Sequence, residues 1–367
     1  MASNNNIVVL GAGVVGLTTA LLLLQRGYSV TIVAAHMPGD TDPYYTSPMA
    51  GANWWPVSLP NTREQDWDRI TYLALDRLAS EVPEAGIHYQ DAIIYKRNKD
   101  QDTVMTQWQQ TLLSDEPWFK GLVRGFRKLN KEEIRGDADS GTRFQSVCIN
   151  AGVYLAWLVG ECRKRGGVFK RRMVKHVEEA GEWHHTGGKV ACVVNCTGLL
   201  ASKLGGVMDA KVTPTRGQIV LVRNEIEAMY DISGTDDGDE ECTYLMMRAA
   251  GGGTVIGGSY QKGNWDTNVD QSMNNRIMKR AIALAPELVK PGQGIEALDV
   301  IRTYAALRPL RIGGVRLERE KIGKTEVVHN YGAGGFGYQA SYGMAEYSAR
   351  LVDEVCGRKG PEEKAKL

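Results

Sequence analysis

A glycine-rich turn near the amino terminus constrains the possible folds of this chain more than any other feature. The run Gly11-Ala12-Gly13-Val14-Val15-Gly16 follows an apolar stretch at residues 6–10, and a mostly apolar segment continues to about Arg26. Glycines at this spacing permit a tight turn from a buried strand into a helix that packs closely on it. Residues 28–34 then predict a second parallel strand, so the chain opens with a βαβ unit.

This unit also explains a segment that resembles a membrane span. Residues 7–24 contain no charged side chain, and a stretch of that length could cross a bilayer. No basic residue precedes it, however, and three glycines and two threonines interrupt it. We therefore expect a strand, a turn and a helix in a soluble protein that has no membrane segment.

Length, charge and cysteine content narrow the class of protein further. The 367 residues suggest two domains. Lys plus Arg total 44 and Asp plus Glu total 43, which argues against a nucleic-acid partner because no excess positive charge is available for phosphates. The six cysteines show no metal-binding spacing. We expect no metal site and buried thiols in a reducing compartment, although a single disulfide stays open.

The rest of the chain alternates between strand-like and helical patterns without an internal repeat. Strands are predicted at residues 144–150, 167–172, 189–195, 216–224, 243–248 and 254–260, and in a run from 296 to 330. Helices are predicted at residues 62–82, 151–165 and 267–285, and after a second glycine-rich run as far as about 355. Because βαβ patterns occur at both ends and in the middle, the domains are predicted to be discontinuous in sequence.

The first turn is typical of dinucleotide binding, since phosphates can approach the backbone at Gly13 and meet free N–H groups at a helix amino terminus. An acid usually follows the second strand and binds the ribose hydroxyls, but this chain has Ala34-Ala35-His36 there. Either the backbone or Thr46 and Ser47 bind the ribose, or His36 faces a 2′-phosphate, which would favour NADP.

A second glycine-rich run, Gly332-Ala333-Gly334-Gly335-Phe336-Gly337, is predicted to lead directly into the last helix. The amino terminus of a helix favours an anion, and a reduced flavin carries negative charge at N1–C2=O. Two such turns could hold both ends of FAD, whereas NAD would have no use for the second. The alternative is a loop that packs closely on another part of the backbone.

Two tyrosines flank the turn at residues 251–253. If the hairpin is centred on Gly252, paired residue numbers sum to 504, which places Tyr244 directly opposite Tyr260. Both hydroxyls would then project from one face, although tyrosine pairs are also ordinary sheet packing and a slip of one residue would separate them.

Arg308, in Ala306-Leu307-Arg308-Pro309, is a candidate for binding a carboxylate through two parallel hydrogen bonds. A surface role is equally compatible, because Arg311 and Arg316 lie nearby. No serine or cysteine stands in a nucleophile motif, and the pair His184-His185 is predicted to lie on a solvated surface.

Together these motifs resemble the D-amino acid oxidase family, which includes D-aspartate oxidase, and the fungal members are the most similar. The matching segments are residues 8–17, Ser47-Pro48-Met49-Ala50-Gly51-Ala52-Asn53-Trp54, Val194-Asn195-Cys196-Thr197-Gly198-Leu199, Arg216-Gly217-Gln218, Gly257-Gly258-Ser259-Tyr260, Leu307-Arg308-Pro309 and Gly337-Tyr338-Gln339. The resemblance runs nearly from end to end, and seven ordered motifs are far more specific than one glycine turn.

The resemblance implies FAD-dependent oxidation of neutral D-amino acids to imino acids, which become 2-oxo acids and ammonia while O2 is reduced to H2O2. A hydride would pass from the substrate Cα to flavin N5, with no residue acting as acid or base. It also implies that the substrate is bound by Arg308, Tyr244, Tyr260 and Gly335, and we assign Tyr230 to the side-chain pocket. The predicted FAD-binding residues are Gly11, Ala12, Gly13, Val14, Val15, Gly16, His36, Thr46, Ser47, Gly51, Ala52, Asn53, Thr197, Gly198, Arg308, Gly332, Gly334, Gly335, Phe336, Gly337, Tyr338 and Gln339.

Three departures from the family pattern leave alternatives open. Met247 replaces a usual proline, Gly335 stands where serine is frequent, and residues 230–242, which resemble the active-site lid, contain six acidic residues. A D-aspartate oxidase is the first alternative, because Arg248 could supply a second positive charge. An NADP-linked dehydrogenase and a catalytically silent FAD-binding paralogue are the others.

The expected fold class is α/β. Residues 1–58, 144–206 and 306–367 are predicted to form a Rossmann-type FAD-binding domain. Residues 59–143 and 207–305 are predicted to form an α+β substrate-binding domain on a mixed or antiparallel sheet. Ala365-Lys366-Leu367 nearly matches the peroxisomal address Ser-Lys-Leu, so we expect recognition by the peroxisomal import receptor and a peroxisomal location. The resemblance also makes a homodimer possible.

Overall fold

A computed structural model describes residues 5–358 of the chain. Fifteen strands are assigned among them: β1 (Asn6–Leu10), β2 (Ser29–Ala34), β3 (Ile87–Lys96), β4 (Arg124–Lys128), β5 (Ser140–Ile149), β6 (Val168–Arg171), β7 (Cys192–Asn195), β8 (Val212–Val222), β9 (Met229–Ile232), β10 (Glu241–Met247), β11 (Thr254–Ser259), β12 (Gln261–Lys262), β13 (Val300–Arg311), β14 (Arg316–Ile322) and β15 (Thr325–Tyr331). The α-helices are α1 (Val14–Gln25), α2 (Arg63–Glu81), α3 (Val104–Trp108), α4 (Ala151–Lys164), α5 (Gln271–Leu284) and α6 (Ser341–Val355).

Two compact units divide the chain. The first contains Met1–Pro48, Leu155–Pro214 and Arg308–Leu367, and the second contains Met49–Tyr154 and Thr215–Leu307. These boundaries differ from the predicted ones, because residues 49–58 and 144–154 belong to the second unit and residues 207–214 to the first. The cause is strand pairing: β5 pairs antiparallel with β3 along its whole length, and Ala52 forms hydrogen bonds with Ile149 at the end of β5.

The first unit contains a six-stranded sheet in the order β14-β15-β7-β1-β2-β6. All neighbours in this sheet are parallel except β14 and β15. Because β1 pairs on both sides, its residues Ile7 to Leu10 are buried, which explains the continuous apolar run. The predicted βαβ opening is therefore confirmed. Along residues 5–358, no helix is both long enough and apolar enough to cross a bilayer.

The second unit contains a nine-stranded mixed sheet. The strand order is β12-β8-β11-β10-β9-β3-β5-β4, and β13 pairs with β8. Along that order the pairs are antiparallel except for β3 with β9, for which the register is parallel. One face of this sheet packs in an apolar cluster that includes Leu245 and Ile256 of the sheet and Ile277 of α5. The predicted α/β fold class, with a second mixed sheet, is confirmed.

Two smaller expectations concern cysteine and histidine. All six cysteines are free thiols, and five of them are buried. The prediction of a solvated histidine pair is wrong for His184, which is only 2% exposed. The imidazole Nε2 of His184 lies 3.1 Å from the carbonyl oxygen of Ser29, the first residue of β2. His185 contacts the Thr31 hydroxyl through Nδ1 at 2.7 Å.

Candidate active site

The first glycine turn in the first unit brings three backbone segments into close contact. Gly11 has φ +105°, and a Cβ there would overlap the carbonyl group of Cys196 at the end of β7. A Cβ on Gly16 would overlap the carbonyl oxygen of Gly11 and lie 3.3 Å from the Cys196 Cβ. Both positions therefore require glycine for packing of α1 onto the strands.

The amino terminus of α1 is arranged to receive an anion. Its N-cap is Gly13, which has no side chain to cap the helix, and its first turn contains no acidic residue. The Val14 N–H donates to Ser47 Oγ at 3.0 Å, and the Tyr45 hydroxyl donates to the Ala12 carbonyl at 2.7 Å. The Tyr338 hydroxyl in turn donates to the Ser47 carbonyl at 2.7 Å. Predicted cofactor residues that lie far apart in sequence thus brace one turn.

The end of β2 holds a charged pair that the sequence analysis missed. Arg171, the last residue of the neighbouring strand β6, forms an ion pair with Asp40 and also donates to the Ala35 carbonyl at 3.3 Å. The ion pair with Arg171 lowers the pKa of Asp40. His36 stacks on Tyr45 with ring centroids 6.1 Å apart. The only signal in the sequence was the strand-end position of Arg171, since its pairing with β2 depends on the fold.

Thr197 and Gly198 lie at the end of β7, beside the first turn. The Thr197 hydroxyl donates to Asn195 Oδ1 at 2.7 Å, and the amide of Asn195 lies 3.2 Å from Nδ1 of His329. Asn195 and His329 are fully buried, and burial lowers the pKa of His329. This buried hydrogen-bond network, which His329 Nε2 extends to Glu320 Oε2 at 2.9 Å, orients the turn that carries Thr197.

The second glycine run differs from its prediction. Helix α6 begins at Ser341, four residues after Gly337, so Gly332-Ala333-Gly334-Gly335-Phe336-Gly337 is a loop and not the amino terminus of the helix. Turn residues lie between this loop and the helix, and the Ala340 N–H donates to the Phe336 carbonyl there at 3.1 Å. The loop instead approaches β13, where the Gly334 N–H donates to the Pro309 carbonyl at 2.8 Å. The loop is therefore packed closely on another part of the backbone, and its contact with FAD stays a prediction.

Arg308 immediately precedes that contact. It is half-buried in β13 and is the first residue of the third segment of the first unit. Because Pro309 is bonded to Gly334 and Leu310 is bridged to Ala333, Arg308 and Gly335 lie in two adjacent backbone segments. The structure thus brings together two of the residues predicted to bind substrate, and Gly335 is exposed.

In the second unit, Gly51, Ala52 and Asn53 form a turn against the end of β5. The Ala52 N–H donates to the Ile149 carbonyl at 2.9 Å, and Asn53 is bridged to Cys148. Arg248 is buried, and its Nε and Nη2 donate to the carbonyls of Gly51 and Ala50, both at 2.6 Å. Two of the three guanidinium nitrogens of Arg248 therefore hold this turn.

The hairpin register predicted for Tyr244 and Tyr260 is wrong. Tyr244 pairs with Gly257, and Met247 pairs with Thr254, so paired numbers sum to 501. The reason is the turn: the Arg248 N–H donates to the Gly253 carbonyl at 2.9 Å, which closes a four-residue loop at residues 249–252. The loop is thus centred between Ala250 and Gly251 rather than on Gly252.

The tyrosine ring of Tyr244 instead lies over glycine backbone. A Cβ on Gly257 would overlap this ring, and a Cβ on Gly258 would lie 3.0 Å from its hydroxyl oxygen. Tyr260 follows β11 and stacks on Trp108 of α3, with ring centroids 5.5 Å apart. Lys262 Nζ lies 6.0 Å from the same tyrosine ring.

Tyr230 does not share the face of Tyr244, and its place in the side-chain pocket stays a prediction. Tyr230 pairs with Leu245, while Tyr244 pairs with Asp231, and neighbouring residues of a strand point to opposite faces. Tyr230 packs in the apolar cluster beside α5, and its hydroxyl donates to Glu287 Oε1 at 2.5 Å. The Arg135 guanidinium lies 4.8 Å from its ring centroid.

Comparison with known proteins agrees with this arrangement. Residues 6–351 match the family model DAO, described as "FAD dependent oxidoreductase". The chain is 47% identical over 367 residues to a D-amino-acid oxidase of Fusarium vanettenii, which covers 99% of this chain and 100% of that protein. The chain belongs to the DAO family of FAD-dependent oxidoreductases.

Two other proteins illustrate the breadth of the likeness. A D-aspartate oxidase of Talaromyces thermophilus is 32% identical over 370 residues, which is 94% of each chain. The crystal structure of a glycine oxidase from Geobacillus kaustophilus has a TM-score of 0.73 at 17% identity and covers 98% of this chain and 97% of that one. At that identity the structural match shows the fold alone.

FAD is the cofactor of this family, and the described residues fit it. Gln339 Nε2 in the first unit is a buried donor without a hydrogen-bond partner among residues 5–358, and it was predicted to bind FAD. Buried donors are rarely left unpaired, whereas the carbonyl and phosphate oxygens of FAD would accept such bonds. Membership of this FAD-dependent family also excludes the alternative of an NADP-linked dehydrogenase. No cluster of His, Cys, Asp and Glu in the described part of the chain could hold a metal ion.

Proposed function

We propose that this protein is a D-amino-acid oxidase that acts on neutral D-amino acids and produces hydrogen peroxide. The observation that carries the proposal is the end-to-end similarity to a D-amino-acid oxidase together with the placement of Arg308 beside the glycine loop at Gly335. An arginine at this position supplies two parallel N–H donors for the carboxylate that all amino acids share. Bound FAD would accept the hydrogen and two electrons that leave the substrate Cα and pass them to O2.

The residues of the chain would bind and orient the substrate. Arg308 would bind the substrate carboxylate, and the hydroxyls of Tyr244 and Tyr260 would orient that carboxylate. The backbone at Gly335 would accept a hydrogen bond from the substrate amine. The carboxylate, the amine and the face of the flavin are three fixed points. They distinguish the D from the L configuration, because an L-substrate in the same orientation would exchange its side chain and its Cα hydrogen. Positioning of this kind needs no protein base when the substrate amine is neutral.

Arg248 bears on the D-aspartate alternative. A second substrate carboxylate needs a second cation, and Arg248 was the candidate. Its Nε and Nη2 donate to the carbonyls of Gly51 and Ala50, which supports a structural role and hence the preference for neutral side chains. Replacing Arg248 with alanine should therefore lower stability without a selective loss of D-aspartate oxidation.

The decisive experiment is anaerobic absorption spectroscopy of the purified yellow protein with D-alanine, L-alanine and D-aspartate. Bleaching of the flavin by D-alanine alone is the expected result. Bleaching by D-aspartate alone would replace the proposal with the D-aspartate alternative. If neither D-alanine nor D-aspartate bleaches the flavin, the catalytically silent FAD-binding paralogue replaces the proposal.

The role of Arg308 can be tested with matched variants. Arg308→Ala should retain FAD but lower kcat/KM for D-alanine by about 100-fold or more, mainly through KM, because a charged hydrogen-bonded pair is lost. Arg316→Ala is the control, since Arg316 pairs with Glu318 at 2.7 Å and Glu320 at 2.8 Å on β14. Equal KM values in the two variants would exclude Arg308 from the site.

We also propose import into peroxisomes, where a peroxide-producing oxidase would be expected. Ala365-Lys366-Leu367 supports this, although these residues lie outside the described part of the chain. A fluorescent protein that ends in residues 359–367 should colocalise with a peroxisomal marker, and replacing Leu367 with aspartate should abolish this.

A homodimer is a further proposal, which light scattering of the purified protein would test.

A further inference from the structure

A buried carboxylic acid, Asp231, lies in the second sheet directly beside Tyr244. Asp231 of β9 is 1% exposed, and its cross-strand partners are Tyr244 on β10 and Ile94 on β3. Residues directly paired across strands share a face. Asp231 therefore lies under the same face as the tyrosine ring, whereas Tyr230 and Leu245 face the apolar cluster.

Gln109 is the polar partner of this acid. It directly follows α3, and its Nε2 donates to Asp231 Oδ2 at 3.1 Å. Gln109 is 5% exposed, and its Oε1 has no hydrogen-bond partner among the residues that the structure describes. An ionised carboxylate only accepts hydrogen bonds, but a protonated one also donates. A proton on Asp231 would therefore satisfy the unpaired Gln109 oxygen in a two-bond acid–amide pair.

The electrostatic surroundings favour the protonated form. Burial raises the pKa of Asp231 well above its usual range and outweighs the hydrogen bonds from Gln109 and from the Ile232 N–H, which lower it; no charged side chain in the described part of the chain contributes to the shift. The facing groups are Tyr244 from β10, the apolar Ile94 from β3 and the neutral Gln109. Further along β9, Ser233 donates to Asp100, which is itself paired with Arg97 at 2.7 Å.

The pair also determines where Trp108 lies. Gln109 is joined to α3 by its N–H, which donates to the Met105 carbonyl at 2.9 Å. The Thr106 hydroxyl donates to the Ser233 carbonyl at 3.3 Å, which makes a second attachment between this segment and the end of β9. Trp108 precedes Gln109, is 37% exposed and stacks on Tyr260. Two polar attachments to β9 thus hold an indole on a tyrosine that was predicted to bind substrate.

We propose that Asp231 and Gln109 form a neutral acid–amide pair that positions Trp108 on Tyr260, and that Trp108 limits the size of the substrate side chain. The inference rests on the proposed function for its second half, because Trp108 can select substrates only if Tyr260 contacts them. Asp231 is a positioning residue in this arrangement and takes no part in the chemical step.

The first half is tested by Asp231→Asn in the holoenzyme, because an asparagine amide has the shape of the protonated acid and can form both bonds with Gln109. Folding takes up a proton at Asp231 between its pKa in the unfolded chain and its higher pKa in the folded protein, so wild-type stability falls as pH rises through that interval. Asp231→Asn lacks this loss. Between the pKa of the unfolded carboxyl, about 3.9, and its higher pKa in the folded protein, the unfolding equilibrium constants of wild type and variant should diverge by up to about tenfold per pH unit, in favour of the variant.

A stability difference independent of pH would overturn the neutral pair, and so would failure of Asp231→Asn to fold as a yellow protein. This readout does not depend on oxidation of any amino acid. Asp231→Asn should also keep its ratio of kcat/KM values for D-phenylalanine and D-alanine within about twofold of wild type.

Gln109→Leu and Trp108→Ala test the second half. In both variants the ratio of kcat/KM for D-phenylalanine over D-alanine should rise about tenfold, through KM for D-phenylalanine, while kcat for D-alanine stays within about threefold of wild type. Trp108→Phe should restore most of the wild-type ratio. An unchanged ratio in Trp108→Ala would show that the indole does not limit the side chain. If wild type bleaches with no D-amino acid, the proposed function fails while the pH dependence of unfolding still tests the acid–amide pair.

Discussion

In the first unit, candidate cofactor residues lie in short runs at the ends of parallel strands, whereas in the second unit Tyr244, Asp231 and Gln109 come from three separate segments. The glycine pattern of the first turn is local in sequence, and Gly11 and Gly16 are required by contacts with backbone atoms of Cys196 and Gly11. The Tyr244 face depends on the register of β9, β10 and β11. A run of glycines is therefore visible in a sequence, but a face assembled by register is not.

The same contrast predicts different kinds of damage. A substitution in the first turn meets main-chain atoms that cannot move, so its effect should be on folding and on FAD. A substitution on the second sheet meets side chains, and its effect depends on which face it occupies. Three sets of variants would sharpen or break this comparison.

The largest effect is expected from Gly16→Val. A side chain there would overlap the Gly11 carbonyl oxygen and press on Cys196, so α1 could not pack on β1. We expect no yellow folded protein. Gly160→Ala in α4 is the matched control, because no atom lies within 4 Å of a Cβ at that position, and it should stabilise the protein by about 0.5–1 kcal/mol. A Gly16→Val variant that binds FAD normally would contradict the packing argument.

The two faces of the second sheet are compared by Tyr244→Phe and Tyr230→Phe. Tyr244→Phe should raise KM for D-alanine by about tenfold or more, since a hydrogen bond to a charged group contributes roughly 1.5–3 kcal/mol. Tyr230→Phe loses the bond to Glu287 and should lower the free energy of unfolding by about 1.5–3 kcal/mol without changing KM. Steady-state kinetics and denaturant unfolding of both variants separate these outcomes. A raised KM in Tyr230→Phe alone would place Tyr230 in the side-chain pocket.

The smallest effect concerns the acidic segment at residues 230–242, which resembles the family's lid. Three of its carboxylates are paired with basic residues: Asp236 with Lys99 at 2.8 Å, Asp237 with Arg280, and Glu241 with Arg276 at 2.6 Å. The side chain of Asp236 is 72% exposed, and exposed ion pairs contribute about 0–1 kcal/mol. Asp236→Asn should therefore change stability by less than about 1 kcal/mol and leave KM for D-alanine unaltered. A change in KM would indicate that this segment moves during substrate binding.

Much of the fold could be predicted because its signals are local. Apolar runs of five or six residues followed by Gly11 and by Asn195 identify buried parallel strands, and helical periodicity identifies α2, α4 and α5 to within a few residues. The predictions failed where a non-local contact decides the outcome. The domain boundary at residues 49–58 depends on Ala52 pairing with Ile149, almost a hundred residues away.

In the candidate site, too, features with local signals were predicted and features that depend on non-local contacts were not. The sequence by itself determined the first glycine turn, because a close approach of helix to strand needs glycine at one spacing, and the resemblance of its ordered motifs to one family indicated FAD. The role of Arg308 stays a prediction. Only the tertiary structure decided that Tyr230 and Tyr244 face opposite sides, that the hairpin turns at residues 249–252, and that Asp231 lies under Gln109. A strand alternates its faces at every residue, so a displaced turn changes which side chains meet, while the composition of the strand stays the same.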